Sequence, residues 1–246
     1  MVQCNIDNKN VTFRNDCLVL PGLQIEYQSH HKTDQELLLV SGGRAPSERW
    51  LKDVASHRML WCIDHGIDCC YSADLLPQKL IGDGDSASSL AWSWAESNDV
   101  PIARFPVQKD YTDTQLALEM AESAGYFVIL TGAMGGRFDH AYSTIFSFGH
   151  SHLQGCIADD REAVLFLHQK ESINLNFLQS PKAISLLPLT KKTEGVSIDG
   201  VLWPLEDAVL HQSLPYAVSN ELKNNNACIS LKSGILAVYI CWYENN

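Results

Sequence analysis

No stretch of this sequence strings together the roughly 18 apolar residues that a membrane-crossing helix needs. Met1–Asp16 is polar and has no apolar core of signal-peptide length. A cytoplasmic location, with no membrane partner, is the expectation. Positive charge is also scarce: 18 Lys and Arg face 29 Asp and Glu, a net charge of -11, and no basic run occurs. Such a field repels polyanions, which excludes a nucleic-acid partner. A phosphate ligand would need local help from backbone N–H groups, a few cations or a metal ion. The eight cysteines form no CxxC pair and no spaced Cys/His set, so a structural zinc site lacks support and reduced, buried thiols are expected. Neither a GxGxxG after the first strand nor the Gly-Lys-Ser/Thr of a Walker loop is present, which argues against a Rossmann dehydrogenase and a P-loop enzyme. Repeats and low-complexity tracts are absent too.

What is there is a globular chain of 246 residues, 46% hydrophobic, enough for one large core or two small ones. Its character changes near residue 160. From Glu36 onward, short apolar runs (Leu37–Val40, Met59–Ile63, Lys79–Ile81, Ile102–Phe105, Phe127–Thr131, Gly155–Ala158) read as buried parallel strands. Helical patterns separate them at Ser47–His57, Ser88–Asn98, Asp113–Ala124 and Ala141–Leu153, with Thr112 and Gln115 as a capping box for the third. That alternation predicts an α/β domain with a parallel sheet over residues 36–160. Over 161–246 the pattern turns all-β: Ala163–Leu167, Ile173–Phe177, Ile184–Pro188, Val196–Ile198, Val201–Trp203, Ala208–Leu210, Cys228–Leu231 and Ile235–Cys241, divided by turns such as Asp199-Gly200. A β-sandwich or small barrel is expected there. Residues 1–35 read as an extension, with Val11–Phe13 and Cys17–Leu20 as candidates for a hairpin added to the β domain.

Chemistry concentrates in loops that follow predicted strands, where open α/β sheets bind ligands. Ser41-Gly42-Gly43-Arg44 offers close backbone approach and a charge to a phosphate, or a plain turn. Asp64-His65-Gly66 places a carboxylate at a strand end. Gly82-Asp83-Gly84-Asp85-Ser86 brackets a glycine with two carboxylates. That suits a hard divalent cation or a solvated turn. Gly132-Ala133-Met134-Gly135-Gly136-Arg137-Phe138-Asp139-His140 combines N–H donors with a planar guanidinium that fits phosphate. Lys109-Asp110-Tyr111-Thr112-Asp113 opens a helix. Asp113 in its first turn is explained by the helix dipole, and it is also where a carboxylate could join Asp83 and Asp85 around a metal.

Taken together, Gly82–Ser86, Lys109–Asp113 and Gly135–His140 resemble, in order and spacing, the three blocks of thiamine pyrophosphokinases. Ile184–Leu189, Gly200–Leu205 and Val218–Glu221 resemble later blocks of the same family, so the likeness runs from about Glu36 to Tyr243. The resemblance implies an α/β ATP-binding domain followed by a β-sandwich, Mg²⁺-dependent pyrophosphate transfer from ATP to thiamine, and a homodimer with thiamine between one subunit's α/β domain and the other's β domain. It assigns Asp83, Asp85 and Asp113 to metal and catalysis. Arg137 and Asp139 fall near the phosphates and the thiamine-side pocket, with Asp64, Asp110 and Asp139 on the substrate side. Ser41, Gly42, Gly43, Arg44, Lys109, Gly132, Gly135 and Gly136 fall to the nucleotide, and Trp203, Ser219 and Asn220 to the thiamine pocket. The chain departs from the family pattern twice. Asp-Gly-Gly reads Asp64-His65-Gly66, and Thr144 stands where an Asn is usual. Two other readings compete: a nucleotide-sugar transferase using Asp83-Gly84-Asp85 as an Asp-x-Asp element, and a non-catalytic thiamine- or nucleotide-binding protein.

Overall fold

The protein is described from a computed structural model over residues 17–28, 35–105 and 111–243. It opens with a hairpin, β1 (Cys17–Leu20) and β2 (Leu23–Tyr27). The proposed first arm of a hairpin, Val11–Phe13, lies outside the described residues, and Cys17–Leu20 pairs forward with β2. An α/β run follows: β3 (Glu36–Val40), α1 (Glu48–Ala55), β4 (Met59–Ile63), α2 (Gly66–Ser72), β5 (Lys79–Ile81), α3 (Ser89–Ser97), β6 (Ile102–Ala103), α4 (Asp113–Ser123), β7 (Phe127–Thr131), α5 (Phe138–His150) and β8 (Gly155–Ala158). The rest is β: β9 (Glu162–Leu167), β10 (Ser172–Phe177), β11 (Ala183–Pro188), β12 (Lys192–Asp199), β13 (Leu205–His211), β14 (Asn226–Ser230) and β15 (Leu236–Cys241). Among the described residues, no helix is long and apolar enough to cross a membrane.

The α/β-then-β reading of the sequence holds, with one addition: a single nine-stranded sheet runs through both parts. Its order is β11-β15-β9-β8-β7-β3-β4-β5-β6. From β8 to β6 the neighbours are parallel, and from β8 outward through β9, β15 and β11 they are antiparallel. The change of character near residue 160 is the β8–β9 turn, where the sheet continues. The second sheet, β1-β2-β10-β14-β12-β13, is antiparallel throughout and takes in the N-terminal hairpin. Val201–Trp203 is not a strand of it; Val201 makes a lone bridge to Leu222.

Each face of the large sheet is covered, which explains why its parallel strands are unbroken apolar runs. In β3, Leu38 and Val40 join a core shared with α1, α2, α3 and the second sheet, whereas Leu37 and Leu39 join the core under α4 and α5. All four are fully buried, and each contributes about 1.5–3 kcal/mol on leaving water. The chain adds β4, β5 and β6 on one side of β3, then crosses back to place β7 and β8 on the other. The carboxyl ends of β3 and β7 thus flank a topological switch point, where the sheet leaves a crevice.

Candidate active site

The loops leaving β3, β4, β5 and β7, with the first turn of α4, meet at that crevice. They enclose a cleft of about 600 Å³ lined by Ser41, Gly42, Gly43, Asp64, His65, Ser86, Thr112, Asp113, Gly132, Gly136, Arg137, His140 and Thr144, among others. Thr112 and Gln115 close the expected capping box, which fixes the start of α4 and aims Asp113 from its first turn into the cleft. Asp64 lines the cleft from a left-handed backbone position (φ 46°), an uncommon one for a residue with a side chain. Lys109 and Asp110 lie outside the described residues.

The glycines of the first and fourth loops hold those loops together. Ser41 donates to the Thr131 carbonyl at 2.8 Å, Gly43 to Gly132 at 2.6 Å and Arg44 to Met134 at 2.8 Å. Gly132 has φ 68°, and a Cβ there would stand 2.1 Å from the Ser41 carbonyl oxygen. The Gly43 amide, expected to approach a phosphate, and the Arg44 amide are therefore engaged by neighbouring carbonyls. The Arg44 side chain, expected to add charge for a phosphate, is also already engaged. Its guanidinium donates to Asp159 at 3.0 and 2.5 Å and to Glu162, and it is absent from the cleft lining. The buried carboxylate of Asp159, on the β8–β9 turn, and the partly buried Glu162 at the start of β9 claim its charge, and those hydrogen bonds keep its pKa raised against the effect of burial. Gly135 packs on this side chain and likewise does not line the cleft.

What remains for an anion is the α5 end of the fourth loop. α5 starts at Phe138, three residues before the predicted Ala141, with Arg137 at its N-cap and no side chain capping it. Its first-turn N–H groups and the positive end of its dipole lie beside Gly136 and Arg137. The exposed Arg137 fork closes on Asp139 at 3.1 and 2.6 Å. That hydrogen bond holds the Asp139 carboxyl below its ordinary range. Asp139 thus orients Arg137 and does not itself line the cleft.

Asp83, Asp85 and Asp113 do not come together as a preformed cage. Among the described residues, no three His, Cys, Asp or Glu side chains stand grouped to hold a metal. Asp83 accepts the Asp85 amide at 3.1 Å, and neither carboxylate meets a Lys or Arg among the described residues. Like charges keep apart without a cation between them. The donor chemistry still fits Mg²⁺, which takes one or two protein carboxylates and completes its shell with water and substrate phosphates.

A second hollow of about 350 Å³ lies in the β part. It is lined by Trp203, Tyr216, Ser219 and Asn220 over Leu186 and Ile198, and it shares no residue with the first. Trp203 is 59% exposed, so it is not a core residue. Asn220 clasps its backbone, accepting from the Trp203 amide at 3.1 Å and donating to the Trp203 carbonyl at 2.7 Å. The Asn220 amide therefore shapes the rim and is not left open for a ligand. Ser219 sits at φ 59°, its amide donating to the Ser185 hydroxyl at 3.0 Å.

Two family models match in tandem: "Thiamin pyrophosphokinase, catalytic domain" over residues 51–157 and "Thiamin pyrophosphokinase, vitamin B1 binding domain" over 170–236. The chain belongs to the thiamin pyrophosphokinase family. It is accordingly an enzyme of that family. The Bacillus subtilis thiamine pyrophosphokinase is 23% identical over 203 residues, spanning 80% of this chain and 94% of that protein. Thiamin pyrophosphokinase 1 of Caenorhabditis elegans is 26% identical over 180 residues, spanning 69% and 71%. A crystal structure of the Bacillus subtilis enzyme matches the fold with a TM-score of 0.76 at 20% identity, covering 85% of this chain and all of that one.

In thiamin pyrophosphokinase terms, the cleft falls in the catalytic match apart from Ser41, Gly42 and Gly43, which precede it, and the Trp203 hollow falls in the vitamin B1 binding match. Sequence reasoning did not name Ser86, Thr112 or His140 as site residues, although all three line the cleft. The signal for them was position: each neighbours a named residue on a loop already singled out. Thr144, noted only as a departure, is buried at the cleft wall.

Proposed function

We propose that the chain transfers the pyrophosphate of ATP to the hydroxyl of thiamine, releasing AMP and thiamine diphosphate, with Mg²⁺ as cofactor and in the cytoplasm. The observation that carries this reading is one cleft at the sheet's switch point. Into it Asp113, Arg137 and the open start of α5 all face, with the Asp83/Asp85 loop at its edge through Ser86. The triphosphate would lie along the α5 start, its charge met by first-turn N–H groups and by Arg137 once that fork turns from Asp139. Asp83, Asp85 and Asp113 would hold Mg²⁺, which supplies neutralisation of the phosphate charge that builds up during transfer. Asp64, which lines the same cleft as Asp113, would accept the hydroxyl proton, a contribution of about 10²–10⁴-fold. Trp203 would stack on the cationic ring of thiamine, worth roughly 0.5–2 kcal/mol. Because the cleft and the Trp203 hollow share no residue, the reading includes a homodimer that completes each site from two subunits. A nucleotide-sugar transferase has no use for the Gly135–His140 block, which the cleft engages through Gly136, Arg137 and His140.

The test is incubation with ATP, Mg²⁺ and thiamine, followed by chromatography for AMP and thiamine diphosphate. Both products should appear with the wild type. Asp83→Asn should lose turnover while keeping the wild-type circular dichroism. Near wild-type AMP release by that variant would remove the metal assignment.

A further inference from the structure

His65 departs from the Asp-Gly-Gly pattern that the resemblance implies, and the structure gives it a definite set of neighbours. Its Cβ lies 2.7 Å from where a Cβ on Gly42 would be, so the residue lies across the first loop. Its ring Nδ1 is 3.2 Å from the Ser86 carbonyl and 3.1 Å from Asp68 Oδ2. The Ser86 carbonyl can only accept, so Nδ1 carries the hydrogen and donates to it, while the Asp68 carboxylate stands within ion-pair range of the same nitrogen. Asp68 Oδ2 in turn accepts the Ser88 amide at 3.1 Å, at the N-cap of α3. One residue earlier, the Asp64 amide donates to Ile81 at 2.9 Å, and the Asp64 side chain fills the space over Gly82. Asp64 therefore holds the entrance of the Gly82–Ser88 loop, while His65 and Asp68 hold its exit. The loop between carries Asp83 and Asp85.

We propose that His65 is a positioning residue for this acidic loop: through Nδ1 and Asp68 it fixes where Asp83 and Asp85 stand, and hence how well a divalent cation is gripped with the nucleotide. The proposal rests on the metal role given to that loop. It explains how a bulky residue is accommodated at a position that the resemblance gives to glycine, since the side chain adds a brace that glycine cannot supply. A side-chain amide places its nitrogen at different depths in Asn and Gln. The Asn nitrogen falls near the position of Nδ1, and the Gln nitrogen near that of Nε2. The brace therefore predicts that His65→Asn keeps the function and that His65→Gln and His65→Gly lose it.

Two measurements decide the matter. The first is amide hydrogen exchange over Gly82–Ser88 in the protein alone. His65→Gly and His65→Gln should exchange there roughly three- to tenfold faster than wild type, the worth of one or two net hydrogen bonds, while His65→Asn stays near wild type. The second is calorimetric titration of Mn²⁺ into protein with ATP. The dissociation constant should rise by a similar factor in His65→Gly and His65→Gln, be restored in His65→Asn, and leave the KM for thiamine unmoved in all three. Equal exchange in all four proteins, or His65→Asn behaving like His65→Gly, would overturn the proposal. A wild type that makes no AMP yet shows the expected exchange pattern would leave the brace standing and remove the proposed reaction.

Discussion

At the scale of single residues, the chemistry turns on which charges are already engaged. Arg44 and Arg137 look alike in sequence, each a lone arginine after glycines. Packing separates them. Arg44 is partly buried against Asp159, with Glu162 beside it, and Glu162 also accepts from the Tyr239 hydroxyl at 2.6 Å. Arg137 is exposed, with one exposed partner. Removing Arg44 strands two carboxylates with little water. Arg44→Ala should therefore lower unfolding stability by about 3 kcal/mol, read from urea denaturation. Arg137→Ala should leave stability within about 0.5 kcal/mol and lower kcat with ATP by roughly 10²-fold. If the two variants exchanged these effects, the division of labour drawn here would be wrong. Sequence could list both arginines. It could not rank them, because the carboxylates that claim Arg44 lie more than a hundred residues away.

At the scale of elements, two junctions carry testable energetics. The first is the zipper between the loops after β3 and β7. Ala at Gly132 would have to adopt a left-handed φ and push its Cβ into the Ser41 carbonyl. Gly132→Ala should cost about 3 kcal/mol or more in urea denaturation and open the cleft wall. The second is His168, at the β9–β10 turn. Its Nε2 donates to the Gly149 carbonyl of α5 at 3.0 Å, and its ring faces Glu171 at 3.7 Å. The interaction with Glu171 raises the histidine pKa, and the smaller effect of burial opposes it. Burial raises Glu171, but the hydrogen bonds from His168 outweigh it and leave that carboxyl lowered. A raised histidine stabilises the fold fully below its ordinary value near 6.5, and this contribution is lost as pH rises through the raised value. The glutamate's share is present above its ordinary range and is lost as pH falls through the lowered value. Melting temperature should thus fall on the alkaline side by an amount worth less than about 1 kcal/mol. His168→Gln should flatten that slope. The elements themselves were largely legible: β4, β5, β7 and β8 match the apolar runs residue for residue, since strands buried on both faces leave no alternation to misread. The seven-residue α2 escaped, being too short to show a period, and so did β2, whose Gln24 and Glu26 alternate outward within an otherwise featureless extension.

At the scale of the whole molecule, the residues assigned to the reaction fall into two groups that share no lining residue. Ser41, Gly42, Gly43, Gly132, Gly136 and Arg137 ring the cleft at the switch point, with Asp113. Trp203, Ser219 and Asn220 rim a hollow on the far, antiparallel part of the chain. Motif order along a sequence could show that both groups exist, but not that they are housed separately, because chain order does not encode which surface each loop reaches. If each site is assembled from the cleft of one subunit and the Trp203 hollow of another, damage to one group can be complemented by an intact copy on a partner. Asp83→Asn should be nearly inactive alone, and Trp203→Ala, assayed at thiamine well below its KM, should fall by up to about 30-fold, the worth of the lost stacking. Co-expressed in equal amounts, half of the dimers would be mixed. Each mixed dimer would hold one site with both lesions and one with neither, so about a quarter of wild-type activity should return. A site built within one chain gives no such recovery, since every copy then carries a lesion in its only site. Co-purification through two different tags isolates the mixed dimer, and its specific activity should approach half that of wild type. Failure of the tags to co-purify, or a mixed dimer as inactive as its parents, would mean that cleft and hollow do not meet across subunits.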